Sequence, residues 1–122
     1  MFIEVIQQRE LCIIRFKGRI ASGVDPDYLG RKLDEIRRIE PFNVLADLRE
    51  VASIGSMGLG FLVRVFEVVT NRPSGRFVAA GLNPRVREAF RVTRLDEVIP
   101  IASDLDAGTA LLAGSLVSAG PR

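Results

Sequence analysis

The chain has 122 residues, is 48% hydrophobic and carries 17 basic against 15 acidic side chains, which fits one domain built around a single core. A net charge of +2 is too small to imply nucleic acid, and the lack of any histidine removes the usual general base and the commonest transition-metal ligand. The single cysteine, Cys12, excludes a disulfide or a thiolate metal cluster and lies in the apolar run Leu11 to Phe16, where it reads as a core residue.

The N-terminus meets charge at Glu4 and Arg9, so it lacks the basic start and long apolar middle of a secretion signal. The longest apolar stretch, Leu59 to Val69, is broken by Arg64 and Glu67, too charged to span a bilayer. A cytoplasmic protein without membrane insertion is the expectation.

Phe2 to Gln7 and Glu10 to Lys17 are rich in Ile, Val and Phe with Gln8-Arg9 between them, which predicts the two strands of a hairpin, the second ended by Gly18. Asp25-Pro26-Asp27 is a helix start: a capping carboxylate, a proline at the first helical position and a second acid near the positive end of the dipole. Leu29, Leu33 and Ile36 then share one face, and Pro41 ends the helix. Asn43 to Leu48 is almost continuously apolar up to Asp47, as in a strand covered on both sides. Asp47 and Glu50 read as the strand's end and a solvated loop.

A second helix opens at Gly55-Ser56-Met57-Gly58-Leu59-Gly60 and runs to Thr70. Leu59, Leu62, Val63, Phe66 and Val69 form its expected core stripe, yet Met57, Phe61, Val65 and Val68 lie on the other side beside Arg64. Covering helices account for Val65 and Val68. Met57 and Phe61 at the helix start would, if exposed, mark an interface, because a flexible thioether suits an adaptable contact. Beyond Pro73-Ser74-Gly75, Arg76 to Ala80 predicts a strand, Asn83-Pro84 starts a helix with Val86, Ala89 and Phe90 inward, and Arg87, Arg91 and Arg94 share its other side as a solvated face. Glu97 to Ile101 reads as a last strand, Ser103-Asp104 opens a final helix to about Val117, and residues 119–122 form a frayed tail beyond a single domain spanning 1–118. The fold class is α/β: an N-terminal hairpin and then alternating helices and strands, giving a mostly parallel five-stranded sheet covered by about four helices.

The junction from Asn43 to Thr70 is where function is expected. Free N–H groups and the dipole put partial positive charge at the start of the second helix, Ser56 is placed to cap it, and the glycines leave it thinly covered. The glycine spacing matches neither the phosphate-binding loop with its lysine nor the dinucleotide fingerprint. No catalytic residues are assigned, since no nucleophile and base are paired by motif, and no metal or cofactor site is read.

The run Asp47-Leu48-Arg49-Glu50-Val51-Ala52-Ser53-Ile54-Gly55-Ser56-Met57-Gly58-Leu59-Gly60 resembles the signature of the STAS domain, the fold of bacterial anti-sigma factor antagonists. Gly18-Arg19-Ile20, Asn83-Pro84-Arg85-Val86-Arg87 and Leu95-Asp96-Glu97-Val98-Ile99-Pro100-Ile101 are similar to further blocks of that family, in the same order. The resemblance implies a regulatory protein-binding domain and not an enzyme. Its partner would be an anti-sigma factor, usually a serine-kinase-like protein, bound through the start of the second helix, here Ser56, Met57, Gly58, Phe61 and Arg64. In the family the kinase reverses binding by phosphorylating a serine there, adding up to about two negative charges at the contact.

This sequence departs from the pattern at the switch. The motif Asp-Ser-Ser-Gly is replaced by Gly55-Ser56-Met57-Gly58, so the phosphorylated position corresponds to Met57, which has no hydroxyl. An acidic residue expected after Gly-Arg-Ile is Ala21. The expectation is binding without the usual phosphorylation switch, with Ser56 a weak substitute acceptor because capping would engage its hydroxyl. The alternatives are a STAS subunit of a transporter or a signalling scaffold, and a sensor of a small ligand near Asp47 to Gly60. A homodimer is compatible with all of these, and no nucleic-acid partner is expected.

Overall fold

The computed structural model describes residues 2–8, 11–20, 25–39 and 43–119, with the side chains of 19, 20 and 114–119 outside the description. Of the tail expected over 119–122, Ala119 belongs to the last helix, and residues 120–122, like the substitution at Ala21, lie outside the described residues.

Five strands, β1 (Phe2–Gln8), β2 (Leu11–Ile20), β3 (Asn43–Ile54), β4 (Arg76–Ala80) and β5 (Ile101–Ala102), form one sheet in the order β1-β2-β3-β4-β5. The β1–β2 pair is antiparallel and the other three pairings are parallel, so the sheet is mixed, as a hairpin followed by crossovers requires. Each crossover carries a helix: α1 (Pro26–Ile39), α2 (Ser56–Thr70) and α3 (Pro84–Val92), with a 3-10 turn at Leu95–Glu97 before β5 and α4 (Leu105–Ala119) after it. Leu29, Leu33 and Ile36 of α1, Leu59, Leu62, Val65 and Val69 of α2 and Val86 and Phe90 of α3 bury into one core with Ile3, Ile14, Phe16, Val44 and Leu48. Leu112 of α4 meets Leu45, Val78, Ala80 and Ala102 in a second cluster. Three helices thus cover one face and α4 the other. No helix among the described residues is long and apolar enough to cross a membrane.

The helix starts follow the local chemistry. Asp25 Oδ1 accepts from the Asp27 amide at 3.0 Å, Asn83 Oδ1 from Val86 at 2.8 Å and Asp104 Oδ1 from Ala107 at 2.7 Å. The Tyr28 hydroxyl of α1 accepts from the Ile3 amide at 2.9 Å, closing a backbone donor on the edge strand β1. Gly108 lets α4 settle on the sheet: a Cβ there would stand 2.6 Å from the Leu45 side chain.

Three expectations need correction. β3 does not end near Leu48 but continues to Ile54, because β2 itself continues past Gly18 (φ 90) to Ile20 and supplies parallel partners after two register shifts. Of the segment Glu97 to Ile101, only Ile101 is strand. Arg94 takes a left-handed conformation, the amides of Glu97 and Val98 turn back onto the carbonyls of Arg94 and Leu95, and β5 holds only Ile101–Ala102. The buried stripe of α2 is also rotated from the expected one. Phe61 and Val65 are buried while Val63 and Phe66 are only partly so, since α1 lies against the second apolar flank, the covering helix that the sequence called for over Val65.

Candidate functional site

The extended β3 delivers the chain to the start of α2. The helix cap is Gly55, in an extended conformation (φ −103, ψ −174) with no side-chain cap, and its carbonyl accepts the first helical bond from Leu59 at 3.0 Å. Ser56 is not the cap. It is the first helical residue, exposed, and its hydroxyl has no hydrogen-bond partner among the described residues. The reason given for keeping that hydroxyl engaged therefore falls away.

Met57 is half-buried and packs against the core, with part of its surface open. Gly58 is buried and offers no contact surface of its own. Phe61 is only 4% exposed, so the condition under which its ring would mark an interface is not met: its edge meets Phe16 of β2, with ring centroids 6.0 Å apart and planes at 75°. Arg64 is exposed and makes no ion pair among the described residues. Met57, Gly60, Phe61 and Arg64 are spaced as one helical stripe, and that stripe forms one wall of a groove of about 400 Å³. The opposite wall is α1, through Leu29, Gly30, Leu33, Asp34 and Arg37. Of the expected contact residues, the structure brings Met57, Phe61 and Arg64 to this groove and leaves Ser56 on the open helix end.

The α1 wall was not anticipated from sequence. Its one signal was Gly30, a glycine inside an otherwise well-formed amphipathic helix.

Behind the site, Asp47 is 1% exposed and holds the middle of β3, which overturns the reading of a solvated strand end. Its Oδ1 accepts from the Arg49 amide and Nε, both at 3.1 Å, and its Oδ2 from Arg49 Nη2 and Arg15 Nε, both at 3.0 Å. Burial alone would push this carboxyl up, but the hydrogen bonds from Arg49 and Arg15 outweigh it and hold the group below the ordinary 3.8. Arg49 in turn leans on Gly81, whose φ of 78 and missing Cβ leave room for the arginine stem. Asn83 Nδ2 donates to the carbonyls of Val51 and Ala52 at 2.9 and 3.1 Å, tying the start of α3 to the far end of β3. Cys12 is buried and its thiol is pushed up to about 11 by burial and the nearby Glu35 charge, an unreactive core residue as expected. Arg87, Arg91 and Arg94 are exposed, with Arg91 paired to Glu88.

The STAS domain family model matches residues 2–108. The chain belongs to the STAS family. Solved STAS-fold structures include a candidate anti-sigma factor antagonist from Thermotoga maritima, at 17% identity and a TM-score of 0.80 over 91% of this chain and 94% of that one. An anti-sigma factor antagonist from Mycobacterium paratuberculosis is similar at 20% identity and a TM-score of 0.80, covering 92% of this chain and 93% of that one. A sulfate transporter family protein from Wolinella succinogenes is similar at 20% identity and a TM-score of 0.74, covering 92% of each chain. At these identities the likeness is one of fold. No curated protein matches by sequence.

Proposed function

We propose that this STAS domain is a regulatory protein-binding module of the anti-sigma factor antagonist type. It docks a serine-kinase-like anti-sigma factor through the start of α2, without a phosphorylation switch at the family's usual position. The observation that carries this reading is Met57: a partly open thioether at the first turn of α2, where an uncharged side chain keeps the docking surface in its unmodified form at all times. Two similar structures named as antagonist or candidate antagonist support the partner class. An enzymatic role is disfavoured, since the buried carboxylate nearest the junction, Asp47, is locked in its ionised form between two arginines and is a poor proton acceptor.

The free hydroxyl of Ser56 sets the test. The purified chain is incubated with each serine-kinase-like anti-sigma protein encoded in the same genome and ATP, and its intact mass and affinity are measured. Binding with unchanged mass supports the reading; one phosphate on Ser56 with loss of binding overturns the claim of an unswitched surface. The likeness to the Wolinella transporter-family protein favours a second reading, a STAS subunit attached to a transporter. Co-purification with a membrane transport protein in place of an anti-sigma factor would select it.

A further inference from the structure

β1 is an outer strand of the sheet, yet it is built like an inner one. It pairs with β2 in unbroken register over seven residues and has no bulge, proline or lysine, the features that blunt an open edge. Its one charge, Glu4, already meets Arg15 at 3.6 Å. The other outer strand, β5, has only two residues, too few to take a partner. In an antiparallel pair, alternate residues turn their N–H and C=O away from the neighbouring strand. On β1 these are Ile3, Val5 and Gln7, because the Ile3 amide donates outward to the Tyr28 hydroxyl at 2.9 Å. That hydroxyl in turn donates to the Ile3 carbonyl at 3.4 Å, so Tyr28 stands at Ile3 where a further strand would stand. Among the described residues, no hydrogen bond from outside the β1–β2 ladder reaches the main chain of Val5 or Gln7.

The sequence of this edge fits a second copy of itself in one register. Two β1 strands related by a two-fold axis pair antiparallel, and the axis can fall on any residue of the strand. With Glu4 on the axis, two carboxylates stand directly opposite, which is destabilising. With Ile3, Glu4 or Val5 on it, the Ile3 groups must also leave Tyr28 to find their partners. With Gln7 on it, only Gln7 keeps its bonds within the strand. With Ile6 on the axis every condition is met. Val5 and Gln7 of each copy exchange both hydrogen bonds with Gln7 and Val5 of the other, about four bonds in all, and Tyr28 keeps Ile3. The half-open Ile6 side chains meet each other, and each Glu4 carboxylate faces the exposed Gln8 of the other copy, whose amide can donate to it. We infer that two copies join edge to edge through β1 with Ile6 on the two-fold axis, so that their sheets run on as one. A contact over residues 4–8 falls short of the roughly 20–30 residues a side of a standard interface, so this dimer forms only as concentration rises.

Sedimentation velocity of the full chain from about 10 µM to about 1 mM should show a monomer giving way to a dimer. Gln7→Pro removes one outward N–H from an exposed residue and spares the β2 ladder, and it should weaken the dimer at least about tenfold. The Gln8 variants leave the backbone alone: Gln8→Glu, set opposite Glu4, should weaken the dimer and Gln8→Lys should tighten it, each by about threefold or more. If Gln7→Pro does not fold, the Gln8 pair decides. Mild oxidation reads the register. Ile6→Cys should give a disulfide-linked dimer, since a pair on the axis has Cα atoms about 4.5 Å apart, whereas Val5→Cys should not. The native Cys12 is buried and stays out of the reaction. A chain that remains monomeric to the top of the concentration range overturns the proposal. So does a dimer that the Gln7 and Gln8 variants leave unchanged, or one linked through Val5→Cys and not through Ile6→Cys. Protection of the Val5 and Gln7 amides from exchange only when an anti-sigma protein is added to a monomer also overturns it, and would assign the edge to a strand of another protein.

Discussion

Phe61 of α2 meets Phe16 of β2 edge-on, centroids 6.0 Å apart, and so joins the floor of the groove to the centre of the sheet. The ring is structural support for the α2 surface, and Phe61→Ala should cost about 3–5 kcal/mol, the range for deleting a large buried aromatic. Urea titration followed by circular dichroism would measure this. Met57→Ala, at a half-open position, should cost clearly less and leave a folded chain in which docking can be assayed.

Asp47 makes stability depend on acid. Its folded carboxyl titrates below the ordinary 3.8, so its contribution is fully present above that value and is lost as pH falls below it, through the folded pKa. Asp47→Asn should remove that part of the acid limb and, at neutral pH, destabilise by about 1–3 kcal/mol through lost charged hydrogen bonds. The cost is tempered because Arg49 is 53% exposed and regains water. Denaturant melts of both proteins between pH 2 and roughly pH 7 test the sign, since the two curves should converge at the acid end.

Asn83 serves two elements with one amide, capping α3 and bonding the Val51 and Ala52 carbonyls of β3. Asn83→Ala should lose about 1–2 kcal/mol from the cap alone. Its distinctive signature is remote: amide exchange should accelerate in the segment from Val51 to Gly55, upstream of α2, while the β1–β2 hairpin stays protected.

The glycines divide into two classes with opposite responses. A Cβ on Gly75 would lie 1.7 Å from the Val69 carbonyl oxygen, so Gly75→Ala must push the α2–β4 turn apart and lower the melting temperature. Gly60→Ala meets open space and should stabilise by about 0.5–1 kcal/mol. Thermal melts of the two single variants make the comparison directly.

Cys12 should resist alkylation. With the thiol pushed up to about 11 and the side chain buried, the thiolate is scarce and shielded at mild alkaline pH. Iodoacetamide near pH 8 should leave the folded chain unlabelled by mass spectrometry and label it once after denaturation.

Much of this was legible because short-range chemistry decides it. Asp25-Pro26, Asn83-Pro84 and Asp104 announce three helix starts, and Leu29, Leu33 and Ile36 fall inward as their spacing requires. Neighbours decide the rest. The exposed pair Arg49-Glu50 interrupts the apolar run of β3, yet the strand continues because β2 runs beside it. Periodicity finds two apolar sides on α2 but cannot say that α1 covers the one bearing Phe61 and Val65. Ser56 satisfies the composition rule for a cap, and only the extended backbone at Gly55 shows that the cap stands one residue earlier. The glycines at the α2 start were visible at once, whereas only the fold shows that Gly30 lies across a groove from Gly60.

The sheet order repeats the order of the chain, β1 through β5 without a jump. Every strand therefore finds its partner in the preceding strand, and no pairing has to wait for a distant segment. Closing distances stay short, the arrangement that favours rapid folding. On a ribosome each new helix-and-strand unit would meet a docking edge already made, leaving α4, which emerges after all five strands, to seal the opposite face.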